Sequence, residues 1–329
     1  MTDQTASAGR GGFSMHRVIE RIGIHNISLL VALVGLLVIF GVLRGDVFFS
    51  TRNLLNIGMG VAILGVLAIS QTGVIVSGGL DISVGSIVGL TTVATAMAIQ
   101  ATDMAGAGLL AGIVVGGLAG LVNGLLITYG RINAVIVTLG TMAIFRGIAF
   151  ILSNGQSISI FNDAFRWIGT GRILGLPAPI WILIAVAIGF YIFMHKSIVG
   201  RNYYAIGGNP IVARLSGLNI PSYRVAIYIV SGIMAGVGGI LLAARTGSGQ
   251  PISGSDGLEL EAITAAFLGG CAMQGGRGTV VGALLGVAII GVLNNGMILT
   301  AVPTFYQMLA KGTLLILAVF LAEYRLNKS

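Results

Sequence analysis

The feature that most constrains this chain is a train of apolar runs, most of them close to 20 residues long, between residues 26 and 322. A helix needs about 20 mostly apolar residues to cross a bilayer. Within lipid every backbone N–H and C=O must be bonded inside the protein, so runs of this length read as helices. Ten are legible, at about 26–43, 54–76, 83–100, 107–128, 133–152, 179–194, 225–243, 262–274, 279–298 and 308–322. The eighth is short and glycine-rich, and only SGGLDISVGS (77–86) separates the second from the third. Composition agrees: 56% of the residues are hydrophobic and 9% charged, where a soluble domain carries roughly 25% charge. The expected fold is an all-α polytopic membrane protein of about ten transmembrane helices. A transmembrane domain at 26–322 lies between an N-terminal segment 1–25 and a tail 323–329.

Several function classes drop out. The single cysteine, Cys271, excludes an internal disulfide and a multi-cysteine metal site. His16, His25 and His195 all fall outside the apolar runs, and no nucleophile–base constellation is present, so neither a catalytic site nor a metal site is expected. The formal charge of +8 reflects the bias of Lys and Arg toward inside loops rather than nucleic-acid binding. With the N-terminus inside, inside segments hold Arg10, Arg17, Arg21, Arg131, Lys196, Arg201, Arg214, Arg224, Arg277, Arg325 and Lys328; outside segments hold Arg44, Arg52, Arg166, Arg172 and Arg245. Arg146 and Lys311 fall within spans, and Arg146 is isolated there. Both termini are therefore expected in the cytoplasm. The polar first 25 residues lack a small-residue cleavage site, so the first span reads as an uncleaved anchor.

The chain also carries an internal echo. LVNG (121–124) aligns with LNNG (293–296) at an offset of 172, and the same offset takes LGTM (139–142) onto KGTL (311–314). GLDIS (79–83) resembles GLELE (257–261) at an offset of 178. Spans 2–5 (about 54–152) and 7–10 (about 225–322) then run in opposite directions. Such an inverted repeat recurs in transporters, with the substrate path at the repeat interface. Gly108, Gly112, Gly116, Gly120 and Gly124 recur every four residues in the fourth span, and Gly278, Gly282 and Gly286 in the ninth, as close helix packing requires.

The longest hydrophilic inside segment, 195–224, has four basic residues and no acid. Within it Asn209 and Pro210 form a helix start, N-cap and first helical position, and Gly217 closes the turn. The segment is either a short helix lying on the headgroups or a knob that docks into a cytoplasmic partner. In SGGLDISVGS, Gly78 and Gly79 can end one helix, and Asp81 can cap the next by accepting N–H groups from Ser83 or Val84. The rival reading makes Asp81 a carrier of protons or sodium, because an ionisable group in a membrane is a functional hypothesis by default.

SGGLDISVGS, GLVNGLLITYGRINAVIVTLGTM (120–142), GRNYYAIGGNPIVARLSGLNI (200–220) and SGQPISGSDGLELEAITAAFLGG (248–270) closely resemble the monosaccharide permeases of bacterial ABC importers, the group serving ribose, galactose, xylose, arabinose and autoinducer-2. The resemblance runs from about residue 50 to the end. It implies a ten-span inner-membrane subunit and a second permease, identical or paralogous. It also implies a cytoplasmic ATPase with tandem cassettes and a periplasmic sugar-binding protein. By that resemblance Asn209, Pro210, Ala213, Arg214, Leu215 and Gly217 belong to the helix that couples to the ATPase. No G-x-x-x-x-G-K-[ST] occurs here, so ATP and Mg belong on the partner chain and this chain binds no cofactor.

For passage of a neutral sugar the candidates are uncharged polar groups within spans: Gln71, Thr72, Asn123, Thr138, Thr141, Gln274, Asn294 and Asn295. Equally, such groups tie helices together. Asp256, Glu259 and Glu261, at the outer end of the eighth span, are candidates for docking the binding protein. The alternative to an ATP-driven importer is an ion-coupled secondary transporter that would use Asp81 or the Glu259/Glu261 pair.

Overall fold

The computed structural model describes residues 24–254 and 257–326. Asp256, Arg10, Arg17, Arg21, Lys328 and most of the terminal segments 1–25 and 323–329 lie outside them. Thirteen helices are present among the described residues: α1 Ile24–Phe48, α2 Thr51–Val76, α3 Val84–Thr102, α4 Ala105–Thr128, α5 Ala134–Leu152, α6 Asp163–Thr170, α7 Ala178–Lys196, α8 Ile198–Gly208, α9 Pro210–Leu215, α10 Ile220–Thr246, α11 Leu258–Leu268, α12 Val280–Leu299 and α13 Thr304–Leu326. Nine of them, all but α6, α8, α9 and α11, are long and apolar enough to cross a membrane. The chain is an all-α polytopic membrane protein. Its strands are two-residue pieces: β1 (Ile158–Ser159) pairs antiparallel with β4 (Ser248–Gly249), and β2 (Arg172–Ile173) with β3 (Leu176–Pro177).

The eighth expected span, 262–274, is corrected. The helix there is α11, 11 residues long, which at 1.5 Å per residue reaches only about 16 Å. It stops because Gly270 takes φ +94°, and the Gly270 and Cys271 amides turn back to the Phe267 and Ala266 carbonyls. This is the paired closure of a glycine-ended helix. α2 ends the same way: Gly78 has φ +82°, and the Gly78 and Gly79 amides donate to Ile75 and Val74.

The two halves exchange partners. α2 packs on α11 and α12, and α10 packs on α3 and α4; within each half, α3 packs on α4 and α5, and α11 on α12 and α13. Each half's first helix thus lies against the other half's second and third, the arrangement an internal two-fold produces. Loop contacts define two faces. On one, the Gly276 amide donates to the Val76 carbonyl, Tyr204 donates to the Gly278 carbonyl, and Gln274 reaches Glu323. On the other, Asn162 donates to the Asp103 carbonyl and Ile160 to Gly247. α2 runs toward the first face and α10 away from it, so the halves are inverted.

Glycines set how near the helices come. A Cβ on Gly120 would meet the Tyr228 carbonyl of α10, and one on Gly116 the Gly232 carbonyl. In the second half a Cβ on Gly286 would meet the Ala265 carbonyl of α11. Between such surfaces lies a core of Ile69, Val74, Ile227, Leu241 and their neighbours. Gly147, in contrast, has open space around its Cβ position. Gly120→Val is therefore expected to lower stability by about 1–3 kcal/mol, the usual cost of overpacking, and Gly147→Val to leave it nearly unchanged. Thermal unfolding of the two variants in detergent measures the difference.

Candidate functional site

The break between α2 and α3 is held by one buried carboxylate. Asp81 Oδ1 accepts from the Ser83 backbone N–H at 3.0 Å and the Ser83 hydroxyl at 2.7 Å; Oδ2 accepts from the Ser231 hydroxyl of α10 at 2.9 Å. Ser83, whose side chain makes no cap bond of its own, passes the network on: Asn123 Nδ2 donates to its Oγ at 2.8 Å, and Thr141 donates to Asn123 Oδ1 at 2.7 Å. The exposed carbonyls of the break are covered too, Asp81 O by Gln71 Nε2 at 2.8 Å and Leu80 O by the Tyr228 hydroxyl at 3.2 Å. Five helices, α2, α3, α4, α5 and α10, thus meet at one polar node with every member buried.

The predicted path residues distribute as follows. Gln71, Asn123 and Thr141 belong to that node. Thr72 and Thr138 are buried and donate back to Ala68 and Ala134 of their own helices. Asn295 exchanges two hydrogen bonds with Asn53, at 2.8 and 2.9 Å, tying α12 to α2. Gln274, expected inside a span, lies exposed in the connection after α11. Glu259, expected at a docking surface, is buried, its carboxylate against Gly85 at the start of α3. Glu261 pairs with Lys311 of α13 at 2.6 Å and accepts from Asn294 at 3.1 Å. Arg146 Nε and Nη2 are buried with no hydrogen-bond partner among the described residues. Lys311, noted in the sequence only as lying within a span, and Ser231 and Asn53 are not among the predicted site residues. A lysine inside an apolar run is a usable signal; nothing local marks the other two.

Two cavities lie at opposite faces, and α11 lines both. One, about 770 Å³, lies on the face of the Val76–Gly276 contact and is bounded by Ser77, Gly78, Arg131, Asn133 and Arg224 and by Leu260 and Ile263 of α11. The other, about 560 Å³, lies toward the opposite face and is bounded by Asn56, Arg245, Asn294, Asn295 and Lys311 and by Leu258 and Glu261 of α11.

Below the break sits the 195–224 segment. Asn209 Oδ1 accepts from the Ile211 and Val212 amides at 3.0 and 3.1 Å, starting α9. Gly217, at φ +84°, closes it, with the Leu218 amide returning to the Ala213 carbonyl. Ala213 is buried with Ile206 and Ile220, whereas Ile211 is 71% and Leu215 83% exposed. α8 leads back to the break: a Cβ on Gly207 would meet the Val76 carbonyl. The node itself gives a stability prediction. Asp81→Ala orphans buried donors on Ser83 and Ser231 and is expected to cost about 3 kcal/mol. Asp81→Asn, whose amide can still pair with both residues, costs less; chemical denaturation in detergent ranks the two.

The family model described as branched-chain amino acid transport system / permease component matches residues 53–319. The ribose import permease protein of Escherichia coli (strain K12) is 37% identical over 97% of this chain and 98% of its own length. The L-arabinose ABC transporter permease protein of Azospirillum brasilense is 40% identical over 89% and 86%. The ribose import permease protein of Bacillus subtilis (strain 168) is 39% identical over 87% and 89%. No solved structure matches the chain significantly. Two inverted halves around a capped helix break, matched along nearly their whole length by such relatives, make the chain a member of this permease family, on its monosaccharide ABC importer branch.

Proposed function

We propose that the chain is the membrane-spanning subunit of an importer that moves a neutral monosaccharide, a pentose or hexose, from periplasm to cytoplasm. ATP hydrolysis on a separate subunit with tandem cassettes drives it, with Mg and nucleotide bound there. A periplasmic binding protein delivers the sugar, and a second permease, identical or paralogous, completes the pathway. The observation that carries the reading is α9: a capped helix outside the membrane-spanning helices, with Ile211, Val212 and Leu215 exposed, and packed on α8, whose Gly207 backbone lies against the Val76 carbonyl at the break. Exposed apolar side chains beside Arg214 suit insertion into a groove of another protein. In this reading the face bearing α8 and α9 is cytoplasmic, as are both termini.

The footing supplies a mechanical route. Displacement of α9 carries α8, whose Gly207 bears on Val76, and Val76 leads into the Asp81 node that joins α2, α3 and α10. α11, a half-length helix between the inner and outer cavities, is the element free to shift as access alternates. Asp81 suits anchoring rather than ion carriage, because three donors already occupy its oxygens.

The chain with its ATPase and binding protein in proteoliposomes is expected to concentrate an aldose only when ATP is supplied. The chain alone, given a proton or sodium gradient, is expected to concentrate none; uptake in that second arrangement refutes the reading. Ile211→Glu with Leu215→Glu, both at exposed positions, is expected to cut ATP-driven uptake about ten-fold or more, the loss of interface anchors worth roughly 2 kcal/mol. The change in unfolding temperature is expected to be small, because surface substitutions rarely exceed about 0.5 kcal/mol. Coupled uptake at the normal rate would remove α9 from the ATPase interface.

A further inference from the structure

The two halves serve as each other's control. Ser83, Val122 and Leu139 of the first half align with Glu261, Asn294 and Lys311 of the second, by the offsets that match GLDIS with GLELE, LVNG with LNNG and LGTM with KGTL. The helices that carry them pack alike, α3 with α4 and α5, and α11 with α12 and α13. In the first half this arrangement stands on a serine, a valine and a leucine, so the scaffold does not require an acid, an amide and a cation there. Yet in the second half those three residues converge: Lys311 Nζ lies 2.6 Å from Glu261 Oε1, and Asn294 Nδ2 donates to Glu261 Oε2 at 3.1 Å. Lys311 is the eighth residue of α13, about 10 Å along it at 1.5 Å per residue. Charges at such depth are expensive to keep and mark substrate pathways.

The trio also differs from the Asp81 node in being open. Glu261, Asn294 and Lys311 all line the outer cavity of about 560 Å³, within the range of roughly 300–1,000 Å³ common for small-ligand sites. Its remaining wall is apolar except for Asn56, Arg245 and Asn295. Hydrogen-bonding capacity is left over. Asn294 Oδ1 is buried with no partner, an ammonium carries three donors, and a carboxylate accepts about four bonds. Acceptors and donors therefore alternate over a few ångströms inside an otherwise greasy pocket, the pattern that adjacent hydroxyls of a sugar ring satisfy and that water or an inorganic ion satisfies only in part.

We infer that Glu261, Asn294 and Lys311 form a hydroxyl-binding station for a neutral monosaccharide at the outer mouth of the permease, where the sugar pauses before α11 shifts. The opposed charges of Glu261 and Lys311 cancel, so the station selects a polyol rather than a charged solute. This inference rests on the sugar-import reading above.

The test uses the complete importer in proteoliposomes. Wild-type uptake of D-ribose, L-arabinose, D-xylose and D-galactose first identifies the transported aldose, and uptake of its monodeoxy analogues then maps which hydroxyls matter. Asn294→Leu is expected to lower the maximal rate for the parent sugar about five- to ten-fold, the loss of one or two hydrogen bonds, and to flatten the preference for parent over one deoxy analogue. Glu261→Gln combined with Lys311→Gln keeps a hydrogen-bonding pair without charge, guards against a folding defect, and is expected to shift the deoxy pattern at a different hydroxyl. Rates that fall equally for parent and analogues, or wild-type rates in both variants, overturn the station while leaving the importer reading intact. A wild-type complex that moves no aldose overturns both.

Discussion

Where α2 stops within the buried bundle, its last carbonyls and the first amides of α3 must find partners without water. In lipid each orphaned group costs several kcal/mol, and the chain meets the demand locally and then uses it globally. Gly78 turns the α2 carbonyls inward, and Asp81 takes the Ser83 amide. The carboxylate's remaining capacity reaches Ser231 of α10, while Ser83 recruits Asn123 and Thr141. A group introduced by the needs of one helix end thereby joins five helices from both halves. The rest of the bundle is arranged around that fixed point, with glycine ridges on α4 and α10 bringing backbone onto backbone beside it.

Under the proposed function, the node also supplies a route by which a separate ATPase could act on the bundle. α9 is too short to matter as structure, and its exposed Ile211 and Leu215 contribute nothing to the core. Its importance lies in what stands behind it: α8, braced through Gly207 on Val76, one turn from the carboxylate. α11, half the length of a span and flanked by glycine turns, has a cavity on either side.

Much of this is legible in the sequence. Apolar runs locate nine spanning helices, because the bilayer imposes both their length and their internal hydrogen bonding. Asn209-Pro210 and Gly217 mark α9, because capping chemistry is local. The eighth run was harder. Its composition is apolar enough to cross, and its early end depends on Gly270 adopting a positive φ beside Gly269, whose backbone lies against Gly282 and Ala283 of α12, a tertiary contact. The polar residues divide for the same reason. Gln71, Asn123 and Asn295 look alike along the chain as groups that either line a path or tie helices, and only their partners, Asp81, Ser83 and Asn53, separate those uses.

The chain's own residues thus determined an all-helical membrane protein with two inverted halves, a broken helix at Asp81 and a capped knob at α9. Each of these follows from hydrophobicity, spacing or backbone chemistry within a few residues. The fold alone decided which polar groups are closed off and which face open space. Asp81, Ser83 and Asn123 seal one another in the first half, while Glu261, Asn294 and Lys311, brought together from three helices, line a cavity in the second. Partnership between groups as far apart as Asp81 and Ser231, 150 residues, or Asn53 and Asn295, 242 residues, is set by how helices cross, and the crossing is fixed by packing that no local stretch encodes.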